Sequence, residues 1–366
     1  MRTFRLSPGD IVCMAMSCLP RHGVHEENTE QRSCDAVQSR CAGANPHRGF
    51  TLIEMLVAMA LAMLVMGAVA VVFSGTSRNR GDLERSSRLS DNAHYTLDLL
   101  TDEIQIAGFY AEMVTAGSAW QVPDPCSTTL AAQGWSNAPF NVPVPLFGYE
   151  ADAVAPSCLA SRKAGTAIVV TRRVSGETTL PAAASGGAFL QVSKCLTDPL
   201  TWKVSNVAAD FTLHNLDCVT VADVRALVVR TYYVASCNVC GTDTIPTLKR
   251  AELVGNAIVV TPIAEGVENL QVEYGFDGNN DGNPDQYLTA PDAALGAAYG
   301  QWSNVMSARV HVLFRSTDAQ PGYADVTKTF NLGPAGFTQP AGDGYRRVVL
   351  SSIALLRNPA GQRESP

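Results

Sequence analysis

Asp277, Asn279, Asp281, Asn283 and Asp285 place acidic or amide oxygens at positions 1, 3, 5, 7 and 9 of one short loop, with Gly282 at position 6. A hard cation such as Ca2+ needs several oxygens from a single tight turn, and this alternation offers them in the manner of an EF-hand loop. Position 12, however, is Leu288 where that loop carries a bidentate Glu, and strand-like patterns flank the segment. The same residues suit a plain hairpin turn, because Asn, Asp and Gly tolerate positive φ. Both readings stand, with Ca2+ as the one cofactor the sequence suggests.

Cysteine supplies a second chemistry. Of the ten cysteines, Cys13, Cys18, Cys34 and Cys41 lie in the first 49 residues, in spacings that fit no regular metal site. Cys126, Cys158, Cys195, Cys218, Cys237 and Cys240 remain, an even set that favours disulfides in an exported domain. Pairing by nearness in sequence joins Cys126 to Cys158, Cys195 to Cys218 and Cys237 to Cys240. The last is a C-x-x-C that would close a small ring at the end of a strand. A redox or zinc role competes there, without a second C-x-x-C or a thioredoxin-like βαβ pattern to support it.

No catalytic constellation is present. His94, His214 and His311 stand in unrelated contexts, no nucleophile motif accompanies them, and no glycine-rich phosphate loop occurs. His311 falls in an alternating strand pattern and reads as structural. An enzyme is thus the class least supported. The net charge of −7 also argues against direct binding of nucleic acid by the exposed part.

The most unusual ionisable residue is Glu54. From Phe50 to Phe73 it is the one ionisable side chain in 24 residues, and a helix of that length would run about 36 Å, enough to cross a hydrocarbon layer of about 30 Å. An acid inside such a helix is costly and is expected to have a partner. If the chain is cut between Gly49 and Phe50, the new α-ammonium lies about one turn from Glu54. Between staggered neighbouring helices the two charges would neutralise one another and set the axial register. The competing reading is a secretory signal, with Ala68-Val69-Ala70 as its cleavage site. Signal cores, however, run to about 7–15 residues and carry no acid.

Gly49-Phe50-Thr51-Leu52-Ile53-Glu54, preceded by Arg48, resembles the type IV prepilin motif. That resemblance implies cleavage after Gly49 by a prepilin peptidase, N-methylation of Phe50 and a docking role for Glu54. Residues 1–49 then form a cytoplasmic leader, longer than the usual short basic one, which points to a translation start downstream of Met1. Its removal takes six basic and five acidic residues and leaves a net charge near −8.

The elements that carry these residues follow in order. Residues 50–73 form the transmembrane part of an N-terminal helix and 74–107 an amphipathic stalk. Leu89, Ala93, Leu97, Leu100, Ile104 and Ala107 mark one face of that stalk, Gly75 and Gly81 are places where it loosens, and Gly108 is its stop. Residues 108–165, rich in Pro and Gly, read as an irregular connection. Residues 166–366 form a β-rich head, with strands expected over 166–172, 188–192, 224–235, 247–254, 257–263, 270–276, 305–314 and 348–355. No long helical pattern intervenes, so the sheet should be largely antiparallel. The fold class is α+β, a type IV pilin-like helix packed on a β-sheet head.

Gly266-Val267-Glu268-Asn269-Leu270-Gln271-Val272-Glu273-Tyr274-Gly275, the loop Asp277 to Asp285, Tyr287-Leu288-Thr289, Trp302-Ser303-Asn304-Val305 and Leu355-Leu356-Arg357-Asn358 resemble the PilW family of minor pilins. The resemblance implies a subunit that primes pilus assembly with other minor pilins and the major pilin. It would sit at or near the tip, commonly beside a large adhesin, in pili that serve adhesion, twitching motility or DNA uptake. It further implies a single-pass inner-membrane protein with a cytoplasmic N-terminus and a periplasmic head, later moved from lipid into the fibre. A type II secretion pseudopilin shares the N-terminal features, and a membrane-anchored periplasmic protein that binds calcium or another ligand is the third reading.

Overall fold

The computed structural model describes residues 51–115, 118–320, 323, 328–340 and 342–364, and the chain divides into two units between Ser74 and Gly75. Helix α1 (Leu52–Gln105) runs through that boundary without a break at Gly75 or Gly81, so the expected loosening there does not interrupt it.

In the first unit the helix is apolar on every side. Leu52–Ser77 has a mean hydropathy of 2.8 over its apolar window, none of which is buried. A helix of that kind is covered by lipid or by other helices. The single N-terminal apolar helix is the one expected from the sequence.

In the second unit α1 becomes one-sided. Ala93, Leu97, Leu100 and Ile104 are buried and Leu89 packs beside them, whereas His94 on the opposite face is exposed. After Gln105 the chain leaves through Gly108, whose φ of +76° and N–H bond of 2.8 Å to the Arg172 carbonyl close the helix end. A Cβ at Gly108 would stand 3.0 Å from both Pro145 and Pro359, so the exit needs a glycine.

Four short strands follow: β1 (Ala119–Gln121), β2 (Ser136–Asn137), β3 (Phe140–Pro143) and β4 (Leu146–Tyr149). The irregular connection expected over 108–165 is therefore irregular only in part. Its prolines fall where a missing N–H costs little, with Pro143 ending β3 and Pro145 lying before β4. The segment also has a core of its own, in which Tyr110, Met113, Trp135 and Val142 pack with Leu190 and Trp202. Arg172, itself buried, donates to the Gln133 backbone carbonyl at 3.2 Å and to its side-chain oxygen. Burial pulls that guanidinium's pKa down to about 10.

The head continues with β5 (Ile168–Val174), β6 (Phe189–Val192), β7 (Trp202–Ser205), β8 (Val224–Ala235), β9 (Thr247–Val254) and β10 (Ala257–Glu265). The chain then runs through β11 (Val267–Phe276), β12 (Gln286–Leu288), β13 (Val305–Arg315), β14 (Thr329–Leu332), β15 (Ala335–Thr338) and β16 (Arg347–Leu355) to a short helix α2 (Arg357–Glu364). Of the two main sheets, the first has the order β10-β9-β8-β5-β4, with β6 joining β7 to β8, and the second the order β12-β11-β13-β16; β1-β3-β2 and β14-β15 form two small sheets. The pairings within the two main sheets are antiparallel, as expected; parallel pairing among the described residues is confined to the small β1–β3 contact and an isolated bridge between Cys240 and Asp243.

The chain passes from the first sheet to the second at Gly266, where φ is +81° and a Cβ would meet the Arg315 carbonyl at 2.5 Å. Both sheets and α1 then share one core. Tyr232, Val234 and Leu248 from the first meet Leu270, Val272, Val310 and Val312 from the second beneath Leu97 and Leu100.

Candidate functional site

Gly49 and Phe50, the expected cleavage and methylation positions, lie outside the described residues, as do Cys13, Cys18, Cys34 and Cys41. The description begins beside them, at Thr51. There the Glu54 carboxylate accepts the Thr51 backbone N–H at 3.0 Å and the Thr51 hydroxyl at 2.9 Å, while the Glu54 N–H points to the Thr51 hydroxyl at 3.4 Å. This is a capping box, in which a Thr and a Glu three positions on satisfy the unpaired donors of a helix N-terminus reciprocally. The Thr51-x-x-Glu54 spacing was available in the sequence as that signal, and the reading above missed it. Both acceptor contacts use Oε2, so among the described residues Oε1 has no hydrogen bond.

In the head, the loop between β11 and β12 folds around Asp277. This side chain is fully buried, and its Oδ1 accepts the N–H groups of Asn280 at 2.6 Å and Asp281 at 3.3 Å. Its Oδ2 accepts the Gly282 N–H at 2.9 Å and Arg363 Nη1 at 2.9 Å. Burial pushes this carboxyl up, but the Arg363 bond, the two amides and the Arg363 charge outweigh it and hold the group below the usual carboxylate range. Asn279, Asp281 and Asp285 likewise turn oxygens onto the loop's own amides, at Asp281, Asn283 and Gly278 respectively. Four of the five alternating side chains, those of Asp277, Asn279, Asp281 and Asp285, thus engage oxygens within the loop, and the cation beside the innermost acid is a guanidinium. Among the described residues, no three His, Cys, Asp or Glu side chains cluster as metal ligands.

Arg363 comes from α2, which the sequence reading missed. The same guanidinium donates to the Ser303 carbonyl at 3.0 Å and to Asn304 Oδ1 at 2.7 Å. One turn earlier, the Asn358 amide reaches the Ile106 and Ala107 carbonyls at 3.4 and 3.3 Å, just past the end of α1. The chain end therefore ties the end of α1, the 277–285 loop and the start of β13 together.

Other singled-out residues have structural duties. Glu268, at 6% side-chain exposure, faces Lys163, Arg315 and Arg347. Tyr274 meets Trp302 edge-on at 4.8 Å. His311 bridges Ser351 and Glu273, and His214 Nδ1 lies 2.8 Å from Asp198. The cysteines are joined as Cys126–Cys158, Cys195–Cys218 and Cys237–Cys240.

With this geometry in hand, comparison with known proteins is informative at both ends of the chain. The family described as "Type IV Pilus-assembly protein W" matches residues 231–358, and the "Prokaryotic N-terminal methylation motif" matches residues 44–70. A stretch of 61 residues is 36% identical to the Pilin-like protein PilA3 of Thermus thermophilus, covering 17% of this chain and 26% of that relative. The chain therefore matches about a quarter of that relative's length. No solved structure matches.

Proposed function

We propose, from the premise that this chain is a pilin-like member of the type IV pilus-assembly protein W family, that it is a minor pilin that helps to start pilus assembly and stays at or near the tip. The observation that carries this reading is Glu54 on an otherwise apolar helix with none of its apolar window buried. Leaving more than a dozen large apolar side chains in water would cost on the order of tens of kcal/mol, so the helix needs lipid or other helices around it. An acid among them gains from assembly. Cleavage after Gly49 creates an ammonium on Phe50, and a neighbour displaced along the fibre axis brings its own ammonium to Glu54. The capping box holds the carboxylate at the helix start through Oε2.

In this account the prepilin peptidase, the major pilin and other minor pilins are the partners, and a tip adhesin adds to the head. The protein first sits in the inner membrane with its N-terminus in the cytoplasm and its head in the periplasm, then enters the pilus. Its work is assembly rather than catalysis.

Counting surface pili in strains with wild-type protein, Glu54→Gln and Glu54→Ala tests the reading. Pilus number should fall at least several-fold in both variants while the membrane level of the protein is unchanged. Unchanged pili, together with unchanged type II secretion, would contradict it.

A further inference from the structure

Cys237 and Cys240 enclose two residues at the end of β8, and the two cysteines differ in exposure: Cys237 is 6% exposed and Cys240 is an exposed residue. Asp243 fixes the loop around them. Its carboxylate accepts the N–H groups of Asn238 at 2.8 Å, Val239 at 2.7 Å and Ile245 at 3.0 Å. Behind the exposed cysteine stands Lys249 of β9. Although this lysine is 8% exposed, its ammonium points at Cys240 Sγ, 3.6 Å away. Among the described residues no carboxylate forms an ion pair with Lys249, and Asp243 acts on it at longer range.

A buried ammonium beside a neutral disulfide gains little from it, whereas beside a thiolate it is strongly stabilised. Stabilising the reduced form makes a disulfide easier to reduce. At the other two pairs the groups that contact a sulfur are neutral: Cys126 Sγ accepts the Cys158 N–H at 3.1 Å, and Cys195 Sγ lies 3.0 Å from the Thr197 hydroxyl. Chain entropy points the same way: the separations are 32 and 23 residues for those pairs but 3 for Cys237–Cys240. Opening the smallest ring frees the unfolded chain least, so it costs least in folding stability.

We propose that Cys237–Cys240 is a thiol–disulfide exchange site for an external dithiol, with Cys240 as the sulfur attacked and Lys249 as the group that holds the thiolate it becomes. A thiolate of the dithiol attacks Cys240 Sγ, the new S–S bond forms, and the Cys237–Cys240 bond breaks. The electron pair leaves on Cys237 Sγ, which takes a proton from solvent beside the Ser236 hydroxyl, 3.8 Å away. The second thiol of the reductant, deprotonated by solvent, then attacks its own partner sulfur. Cys240 departs as a thiolate next to Lys249, and the dithiol ends as a disulfide. Two electrons pass from the dithiol to the cysteine pair.

The test equilibrates the full chain in detergent micelles with graded ratios of reduced to oxidised dithiothreitol. Acid quenching, alkylation and peptide mass spectrometry then read each pair separately. Cys237–Cys240 should be half reduced at a ratio at least about tenfold lower than the other two pairs. Lys249→Met should raise that ratio about tenfold and Lys249→Arg should restore it, with the other pairs unmoved as an internal check of folding. In the reduced wild type, the alkylation rate of Cys240 should reach half its maximum below the ordinary thiol pKa of about 8.5. Lys249 and, through Thr244, Arg315 of β13 favour that thiolate; Asp243 and Glu265 of β10 oppose it. Reduction of all three pairs at one ratio, or a Lys249→Met midpoint equal to the wild type's, overturns the proposal. If Lys249→Met disturbs the other pairs, Lys249→Arg and the wild-type pH profile decide it alone.

Discussion

Asp277 and Arg363 stand 86 positions apart in sequence and 2.9 Å apart in space. The Asp and Asn alternation of the loop was legible as a turn rich in oxygens, but its cation was not, because nothing local ties position 277 to position 363. Removing one partner of a buried ion pair leaves the other uncompensated, so Asp277→Asn should lower the stability of the head by about 3 kcal/mol at neutral pH. The folded pKa of Asp277 lies below its unfolded value of about 3.9; its contribution is therefore complete above that pH and lost as pH falls through the folded value. Urea unfolding followed by tryptophan fluorescence should show the wild type weakening from about pH 4 downward, with that limb flattened in the variant. Because Arg363 already neutralises the acid, added calcium or a chelator should leave the midpoint unchanged. Glu54 teaches a complementary lesson: its anomaly within an apolar run was plain, whereas its local bond to Thr51 was passed over in favour of a distant partner.

At the scale of elements, long periodic segments were the readable ones. The steps of three and four from Leu89 to Ile104 located the buried face of α1, and β8 and β9 span Val224–Ala235 and Thr247–Val254, the bounds expected from the sequence. The short elements were not readable. Trp202–Ser205 spans four residues, too few for an alternation to declare itself, and becomes a strand because β6 pairs with it. Helix α2, RNPAGQRE, contains Pro359 and Gly361 and has poor helix propensity; burial of Leu356 and Ala360 and the Arg363 contacts hold it in place. Asn358, at its second residue, supplies the carbonyls past α1 with donors. Asn358→Ala should therefore cost about 1 kcal/mol and lower the thermal midpoint of the head by about 2 °C, measured by circular dichroism.

For the molecule as a whole, the two units carry different kinds of information. The first is legible almost entirely from composition, since an apolar helix without a core of its own states the environment it needs. The second is legible as a class, a largely antiparallel α+β head, while its middle region is organised by contacts among Tyr110, Trp135 and Trp202 that lie far apart in the chain. In the function proposed above, the apolar helix assembles after processing and the head gives the subunit its place. The most direct measurement is mass spectrometry of the N-terminal peptide of this protein in pili sheared from cells. The account predicts a chain that begins at methylated Phe50. A chain that begins after Ala70, or one that retains the residues before Phe50, would contradict it.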